Sequence, residues 1–445
     1  MTVSPIDLAL DYIYSFVDYE RQRTPNMKTN WDLRRVEELL ARLGNPHLKS
    51  KTVHVAGSKG KGSTAVMVAA VLSRAGYKTG LYTSPHLHVF NERIRIDSKL
   101  ISDDEIVELM GIIKPEVEVV NKTASYGKLT TFEIITIMGF LYFAQKKTDY
   151  QVIEVGLGGR LDATNVVNPE VSVITPVSYE HMDLLGNTLT AIASEKAGII
   201  KQGGAVVSSP QTEEADLVIE TVCTRQRAKL IKVGRDVSFK SNGFAQTEQA
   251  LTVQGRLGKY EFTIPLLGQY QLSNAATAIA VLEVLMEKGA GIPSQSIIQG
   301  MRDVSWEGRL QVLNRRPLVV ADGAHNQDSA RKLRAALEHY FKYDHMVLVI
   351  GMSSDKDLTG IVNELAPICQ KVVVTRSTHP RAMDTTPIAS EFRKYGIEAQ
   401  ETNDITQAMP LALSLAGNRD LVCVTGSLFV AAGAIEQANV LNLKP

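Results

Sequence analysis

The chain has 445 residues, its 48 lysines and arginines balanced by 48 aspartates and glutamates, and is too long for one ordinary core, so two domains are the natural division. Zero formal net charge excludes bulk attraction to nucleic acid or to an anionic membrane, and no apolar run approaches the ~20 residues that span a bilayer. Three cysteines, Cys223, Cys369 and Cys423, lie far apart in apolar or helical contexts and read as buried thiols of a reducing compartment.

Residues 1–18 mix Asp7, Asp11 and Asp18 with apolar residues at helical spacing, without the basic start and small-residue cleavage site of a secretory leader. A cytoplasmic α/β protein is expected. The spacing predicts helices over 6–20 and 32–43, joined by a polar connector, 21–30, that holds Pro25 and Lys28-Thr29. Next comes Val53-His54-Val55-Ala56-Gly57-Ser58-Lys59-Gly60-Lys61-Gly62-Ser63-Thr64, an apolar β-branched run entering a loop of three glycines and two lysines, then a small-residue helix. Strand, glycine loop and helix in that order suit phosphate binding, because glycine lets the backbone wrap an anion and the helix N-terminus and a lysine favour it. A bare glycine turn is the plain alternative. Gly62 separates Lys61 from the hydroxyls of Ser63 and Thr64, where the usual loop has Ser or Thr directly after the lysine.

Further strands are predicted at 79–83, ending in Ser84-Pro85-His86, at 150–155, containing Glu154, and at 171–176, followed by Tyr179-Glu180-His181-Met182-Asp183. Helices are expected at 103–120, 131–146, 188–200 and 270–288, and 235–265 reads as antiparallel strands at the domain's edge. Near Asp303-Val304-Ser305 the pattern resets. Strands at 318–321, 346–350, 371–375 and 421–425 then alternate with helices. The expected fold is α/β: a P-loop-type, doubly wound, mainly parallel sheet domain over 1–304, and a smaller Rossmann-like α/β domain over 305–445. In such sheets ligands gather at the carboxyl ends of the strands, and the glycine loop, Ser84, Glu154 and His181 all fall there.

Taken together, Gly57 to Ser63, Thr83-Ser84-Pro85-His86-Leu87, the block from Glu154 to Asn165, His181-Met182-Asp183, Glu195-Lys196-Ala197-Gly198-Ile199, Asn274-Ala275-Ala276, Gly308-Arg309, Asp322-Gly323-Ala324-His325-Asn326 and Asp355-Lys356-Asp357 resemble the folylpolyglutamate synthase family of the Mur ligase superfamily. Some of its bacterial members are also dihydrofolate synthases. The resemblance spans nearly the whole chain and makes Gly62 part of the family's Gly-Lys-Gly-Ser loop. It implies an ADP-forming ligase that joins L-glutamate to tetrahydrofolate, with or without activity on dihydropteroate, through an acyl phosphate. Folate, glutamate and ATP would be its partners, Mg²⁺ its metal, and a monomer its state. A Mur-type ligase on another carboxylate and a P-loop nucleotide switch are the competing readings.

By the same resemblance, ATP would be held by Gly57, Ser58, Lys59, Gly60, Lys61, Gly62, Ser63, Asn274, Arg309 and Asp322. Mg²⁺ would be held by Ser84, Glu154 and His181. Lys196 would carry a carbamate formed from CO₂ and bind a second Mg²⁺, which requires a neutral amine and hence a lowered pKa. Lys61, Lys196, Arg309 and His325 would be catalytic. Folate would meet Lys28, Thr29, Thr130, Thr131, Phe132, Glu133, Leu161, Asp162 and Ala163; glutamate would meet His325 and Ser427. Plainer roles compete for several of these: a packed histidine for His181, a salt bridge for Glu154 or Arg309, a solvated helical lysine for Lys196, core packing for Phe132, and helix caps for His325 and Ser427. The chain departs from the bifunctional pattern at Asn30-Trp31-Asp32-Leu33, and Glu307 stands where proline is common.

Overall fold

The apolar run before the glycine loop forms the middle of a large sheet in the computed structural model, which describes residues 3–20 and 31–444. In chain order the strands of this sheet are β1 (Lys51–Ala56), β2 (Thr79–Tyr82), β3 (Ile94–Ile96), β4 (Lys99–Leu100), β5 (Tyr150–Glu154), β6 (Val171–Ile174), β7 (Ala205–Ser208) and β8 (Lys229–Lys232). Among the described residues their order across the sheet is β4-β3-β2-β5-β1-β6-β7-β8. In that order the strands from β2 across β5, β1, β6 and β7 to β8 pair in parallel, and β1, β2, β5, β6 and β7 are buried almost throughout.

Parallel pairing has one direct consequence for function. The carboxyl ends of β2, β5, β1 and β6 lie side by side on one edge. Because β5 pairs on one flank of β1 and β6 on the other, the strand order reverses around β1, the kind of crevice in which α/β sheets bind ligands.

Several boundaries differ from expectation. The first helix is Pro5–Tyr14, capped by Ser4, which accepts from the Asp7 N–H, and so ends well before residue 20. The helix expected over 188–200 is Leu189–Ala197. The sheet is mainly parallel, as expected, and its antiparallel part is β3, which pairs with β2 and with β4. At three and two residues, β3 and β4 are too short to show a period of two. Lys28 and Thr29 lie outside the described residues.

The chain separates into two units, one comprising Met1–Ser241, Leu251–Thr263 and Tyr270–Val304, the other Asn242–Ala250, Ile264–Gln269 and Ser305–Pro445. The segment expected to be edge strands forms β9 (Ser238–Phe244), β10 (Gln249–Gln254) and β11 (Lys259–Ile264), in the order β11-β10-β9, and divides between the units. In the second unit β12 (Gln311–Arg315), β13 (Leu318–Ala321), β14 (Met346–Ile350), β15 (Lys371–Val374), β16 (Ala399–Glu401) and β17 (Leu421–Thr425) are ordered β12-β13-β17-β14-β15-β16. All of these pair in parallel except β12, which runs antiparallel to β13. Among the described residues no helix is long and apolar enough to cross a membrane.

Candidate active site

The glycine loop turns sharply between β1 and the helix Lys61–Arg74. Gly60 is the residue before the helix, with φ +86°, a left-handed conformation that suits glycine. A Cβ there would fall 2.4 Å from Asn274 Oδ1, so the loop needs glycine for space as well as for its dihedral. Asn274, on the helix Gln269–Glu287, is buried and donates to Gln271 Oε1 at 2.8 Å, and Gln271 reaches Ser63 Oγ at 3.3 Å. The loop is thus braced from a second helix. Ser58 and Lys59 turn their N–H groups onto the Pro176 carbonyl, at 3.0 and 3.2 Å. The N–H groups of Lys61, Gly62 and Ser63 precede the first intrahelical bond, which Thr64 makes to the Gly60 carbonyl at 2.9 Å, and form the anion-facing end.

Two lysines converge on one carbonyl. Lys61 Nζ lies 3.1 Å and Lys196 Nζ 3.0 Å from the Gly57 oxygen, and Lys196 Nζ also lies 2.6 Å from Glu180 Oε1. Lys196, near the end of the helix Leu189–Ala197, is 1% exposed. Burial lowers its pKa below the ordinary lysine value, and the Glu180 carboxylate opposes that fall. Burial alone would raise Glu180, but Lys196 and then Lys61 draw it down to about 2. Glu180 is the partner that sequence reasoning overlooked. It sits in a loop with no periodic signal, and only the fold brings it to Lys196.

Glu154, the last residue of β5, is buried, and its Oε2 accepts the Ser84 N–H at 3.3 Å. His181, with φ +44°, precedes the short helix Met182–Leu185. Among the described residues no three of His, Cys, Asp and Glu gather into one cluster. Glu154 and Ser84 nevertheless stand together at the strand ends, and a carboxylate and a hydroxyl are oxygen donors of the kind a hard cation such as magnesium takes.

Of the residues expected around folate, several are occupied in shaping the fold. Thr130 caps the helix Thr131–Gln145 reciprocally with Glu133, and Thr131 Oγ1 lies 3.0 Å from the Ile13 carbonyl. Glu133 is paired with the guanidinium of Arg35, whose Nε is 2.9 Å from each carboxylate oxygen. Phe132 is the half-buried member, its ring against Gly156, where a Cβ would meet Cζ at 2.4 Å, and 6.4 Å from the Tyr82 ring. Asp162 is buried and closes the loop after β5, with Oδ2 accepting the Leu157 N–H at 2.9 Å and Oδ1 the Thr164 N–H at 3.0 Å. Burial raises its pKa against those hydrogen bonds. Ala163 is buried beside it and Leu161 half-buried.

In the second unit the loops after β13 and β17 carry the expected residues. Asp322 accepts the Leu310 N–H at 2.8 Å and the Ala324 N–H at 2.9 Å, one on each oxygen. Arg309 Nη1 donates to the Gly308 carbonyl at 3.0 Å. His325 Nδ1 lies 2.9 Å from the Gly323 carbonyl, which can only accept, so Nδ1 carries a proton. The cap of the helix Gln327–Tyr340 is Asn326 rather than His325. Ser427 does cap a helix, Leu428–Val440, accepting the Phe429 N–H at 3.2 Å.

Comparison with known proteins finds similarity along both units. Residues 55–282 match the Mur ligase middle domain, and residues 308–428 the Mur ligase glutamate ligase domain. The chain is 35% identical over 402 residues to the dihydrofolate synthase/folylpolyglutamate synthase of Bacillus subtilis, covering 89% of this chain and 92% of that protein. It is also 35% identical over 428 residues to the folylpolyglutamate synthase of Lacticaseibacillus casei, covering 94% and 95%. Mycobacterium tuberculosis folylpolyglutamate synthase complexed with ADP superposes with a TM-score of 0.89 at 32% identity, over 98% of this chain and 99% of that one.

Proposed function

The chain belongs to the dihydrofolate synthase/folylpolyglutamate synthase family of Mur ligases, and on that premise we propose that it joins L-glutamate to tetrahydrofolate at the expense of ATP. The observation that carries this reading is the meeting of Lys61 and Lys196 on the Gly57 carbonyl, at the carboxyl edge of β1, with Glu154 ending the adjacent strand β5. A carboxylate oxygen of the folate attacks the γ-phosphorus of ATP and ADP departs. The amine of glutamate then attacks the acyl carbon, loses a proton, and phosphate leaves.

Two anions must approach each other in the first step, so catalysis consists chiefly of positioning and charge neutralisation. Lys61 and the N–H groups at the start of its helix hold phosphate oxygens, with Gly57, Ser58, Lys59, Gly60, Gly62, Ser63 and Asn274 shaping the loop. Glu154 with Ser84 and His181 would hold Mg²⁺, which neutralises phosphate charge when bound. In the second unit Arg309 and Asp322 are assigned to the nucleotide, and His325 and Ser427 to the incoming glutamate. Phe132, Leu161, Asp162 and Ala163 are assigned to the folate, with Thr130, Thr131 and Glu133 setting the start of the helix that carries Phe132.

A carbamate on Lys196 is part of the proposal. The lowered pKa favours the neutral amine that reacts with CO₂. A carbamate in place of the ammonium would set an anion beside Glu180, and that negative charge would favour holding a second magnesium there. A monomer in the cytoplasm completes the proposal, on the free, buried cysteines and the family resemblance.

ADP release with ATP and glutamate, measured in parallel with tetrahydrofolate, with dihydropteroate and with no acceptor, tests the reading. Release dependent on tetrahydrofolate supports it. Equal release without an acceptor overturns it in favour of a nucleotide switch, and the dihydropteroate arm decides whether the enzyme is bifunctional.

A further inference from the structure

Beneath the loop after β5, three polar side chains form a line that begins in the middle of the sheet. His54 on β1 is 0% exposed. Its Nε2 lies 2.8 Å from Thr164 Oγ1, and that oxygen lies 2.5 Å from Asp162 Oδ1. The residues in register with His54 are Ile153 on β5 and Ser172 on β6, and the Ser172 hydroxyl is engaged with the Ile199 carbonyl at 3.1 Å. A histidine in so apolar a strand is costly to bury unless its polar edge is used. Burial, helped by the Lys201 ammonium, pushes its pKa down to about 3, so the ring is neutral and carries one N–H.

The ends of the line fix its direction. If Asp162 is ionised, Thr164 donates its one hydroxyl proton to Oδ1 and must accept from His54 Nε2–H. His54 Nδ1, which is buried and has no hydrogen-bond partner, is then only a bare lone pair. In the reverse sense a protonated Asp162 donates to Thr164 and Thr164 to Nε2, which leaves a buried N–H at Nδ1 without an acceptor. Orphaned buried N–H groups are the rarer and costlier outcome. Burial raises the Asp162 pKa, but the backbone N–H groups of Leu157 and Thr164 both point at its oxygens, and donors aimed at both oxygens favour the carboxylate.

We propose that His54, held as the Nε2–H tautomer, is a positioning residue for the ligation, which through Thr164 fixes the Asp162 carboxylate and the loop that Asp162 closes. The proposal rests on the folate reading of Asp162. Its role is to hold one wall of the folate site at a set height, so it acts on folate and leaves ATP alone.

The experiment uses the full chain. Long-range ¹⁵N–¹H correlation of the histidine rings reads the tautomer of His54. ADP release then gives KM for tetrahydrofolate and for ATP in His54→Gln, which keeps an N–H near the place of Nε2, and in His54→Leu, which keeps bulk without a donor. The expected results are an Nε2–H signal, a KM for tetrahydrofolate raised about tenfold in His54→Leu, in line with the loss of one buried hydrogen bond, an unchanged KM for ATP, and near wild-type behaviour in His54→Gln. An Nδ1–H tautomer, equal effects of Gln and Leu, or parallel shifts in both KM values would overturn the proposal. Should His54→Leu not fold, Thr164→Val decides by the same ratio of KM values. If the wild type releases no ADP with any folate, the folate reading fails. The tautomer and the hydrogen-exchange protection of the Leu157 and Thr164 amides then still decide the line itself.

Discussion

Replacing Gly60 by alanine perturbs the phosphate loop at its tightest point. The φ of +86° costs an L-residue roughly 1–2 kcal/mol. The new Cβ lies 2.4 Å from Asn274 Oδ1 and 3.0 Å from its Cγ, so the amide must give way. Asn274 is 2% exposed and Gln271 is 0% exposed, and moving the amide breaks the 2.8 Å bond to Gln271. An unsatisfied buried amide costs about 1–3 kcal/mol, and with the dihedral term Gly60→Ala should cost roughly 2–5 kcal/mol. Urea unfolding measures the loss, and calorimetric titration with ADP measures the accompanying fall in affinity. A double-mutant cycle with Asn274→Ala isolates the clash: the pair should be less destabilised than the sum of the singles by about 1 kcal/mol or more. Strict additivity would refute the steric reasoning and leave only the dihedral strain.

Lys196→Ala should abolish folate-dependent ADP release, and added bicarbonate should not restore it; a variant with normal turnover would end the carbamate proposal, and ¹³C-bicarbonate NMR of the wild type looks for the carbamate directly. Arg35→Ala leaves Glu133 buried without its cation and should cost about 3–5 kcal/mol in urea unfolding, whereas Arg35→Met combined with Glu133→Leu should recover most of it. Glu105 is held at about 2, below its ordinary 4.5, against burial, by the Lys146 ammonium, the Ser102 N–H and the Tyr142 hydroxyl. A depressed carboxylate stabilises above its unfolded pKa and loses that contribution as pH falls through the folded one. Stability should therefore drop between about pH 4.5 and pH 2, and the drop should be shallower in Glu105→Gln, as read by unfolding midpoints across that range.

The sites differ in how far they can be read without coordinates. The glycine loop is legible because its chemistry is contiguous: β-branched strand, glycines, lysine and small-residue helix follow within a dozen residues. Glu154 is legible because a carboxylate ending an apolar strand stands out. Glu180 is not, since an acidic residue in an irregular loop looks solvated until the fold lays it 2.6 Å from Lys196. Glu133 and Thr131 attract notice as polar residues at a helix start, yet Glu133 is bound to Arg35, which lies 98 positions away in sequence. The antiparallel strands β3, β4 and β12 escape notice because two to five residues hold too little periodicity to separate from a loop.

Sequence by itself determined what depends on neighbours along the chain: the alternation of strands and helices, the phosphate loop with its inserted Gly62, and the motifs that mark the family. Tertiary structure alone decided what depends on strand order. Parallel pairing around β1 places the ends of β2, β5 and β6 beside the glycine loop, burial makes Lys196 a perturbed amine rather than a solvated one, and register sets His54 under Thr164 and Asp162. The physical reason is range. Propensity and periodicity act over a few residues, whereas desolvation and hydrogen-bond direction arise only when segments distant along the chain are pressed together without water between them.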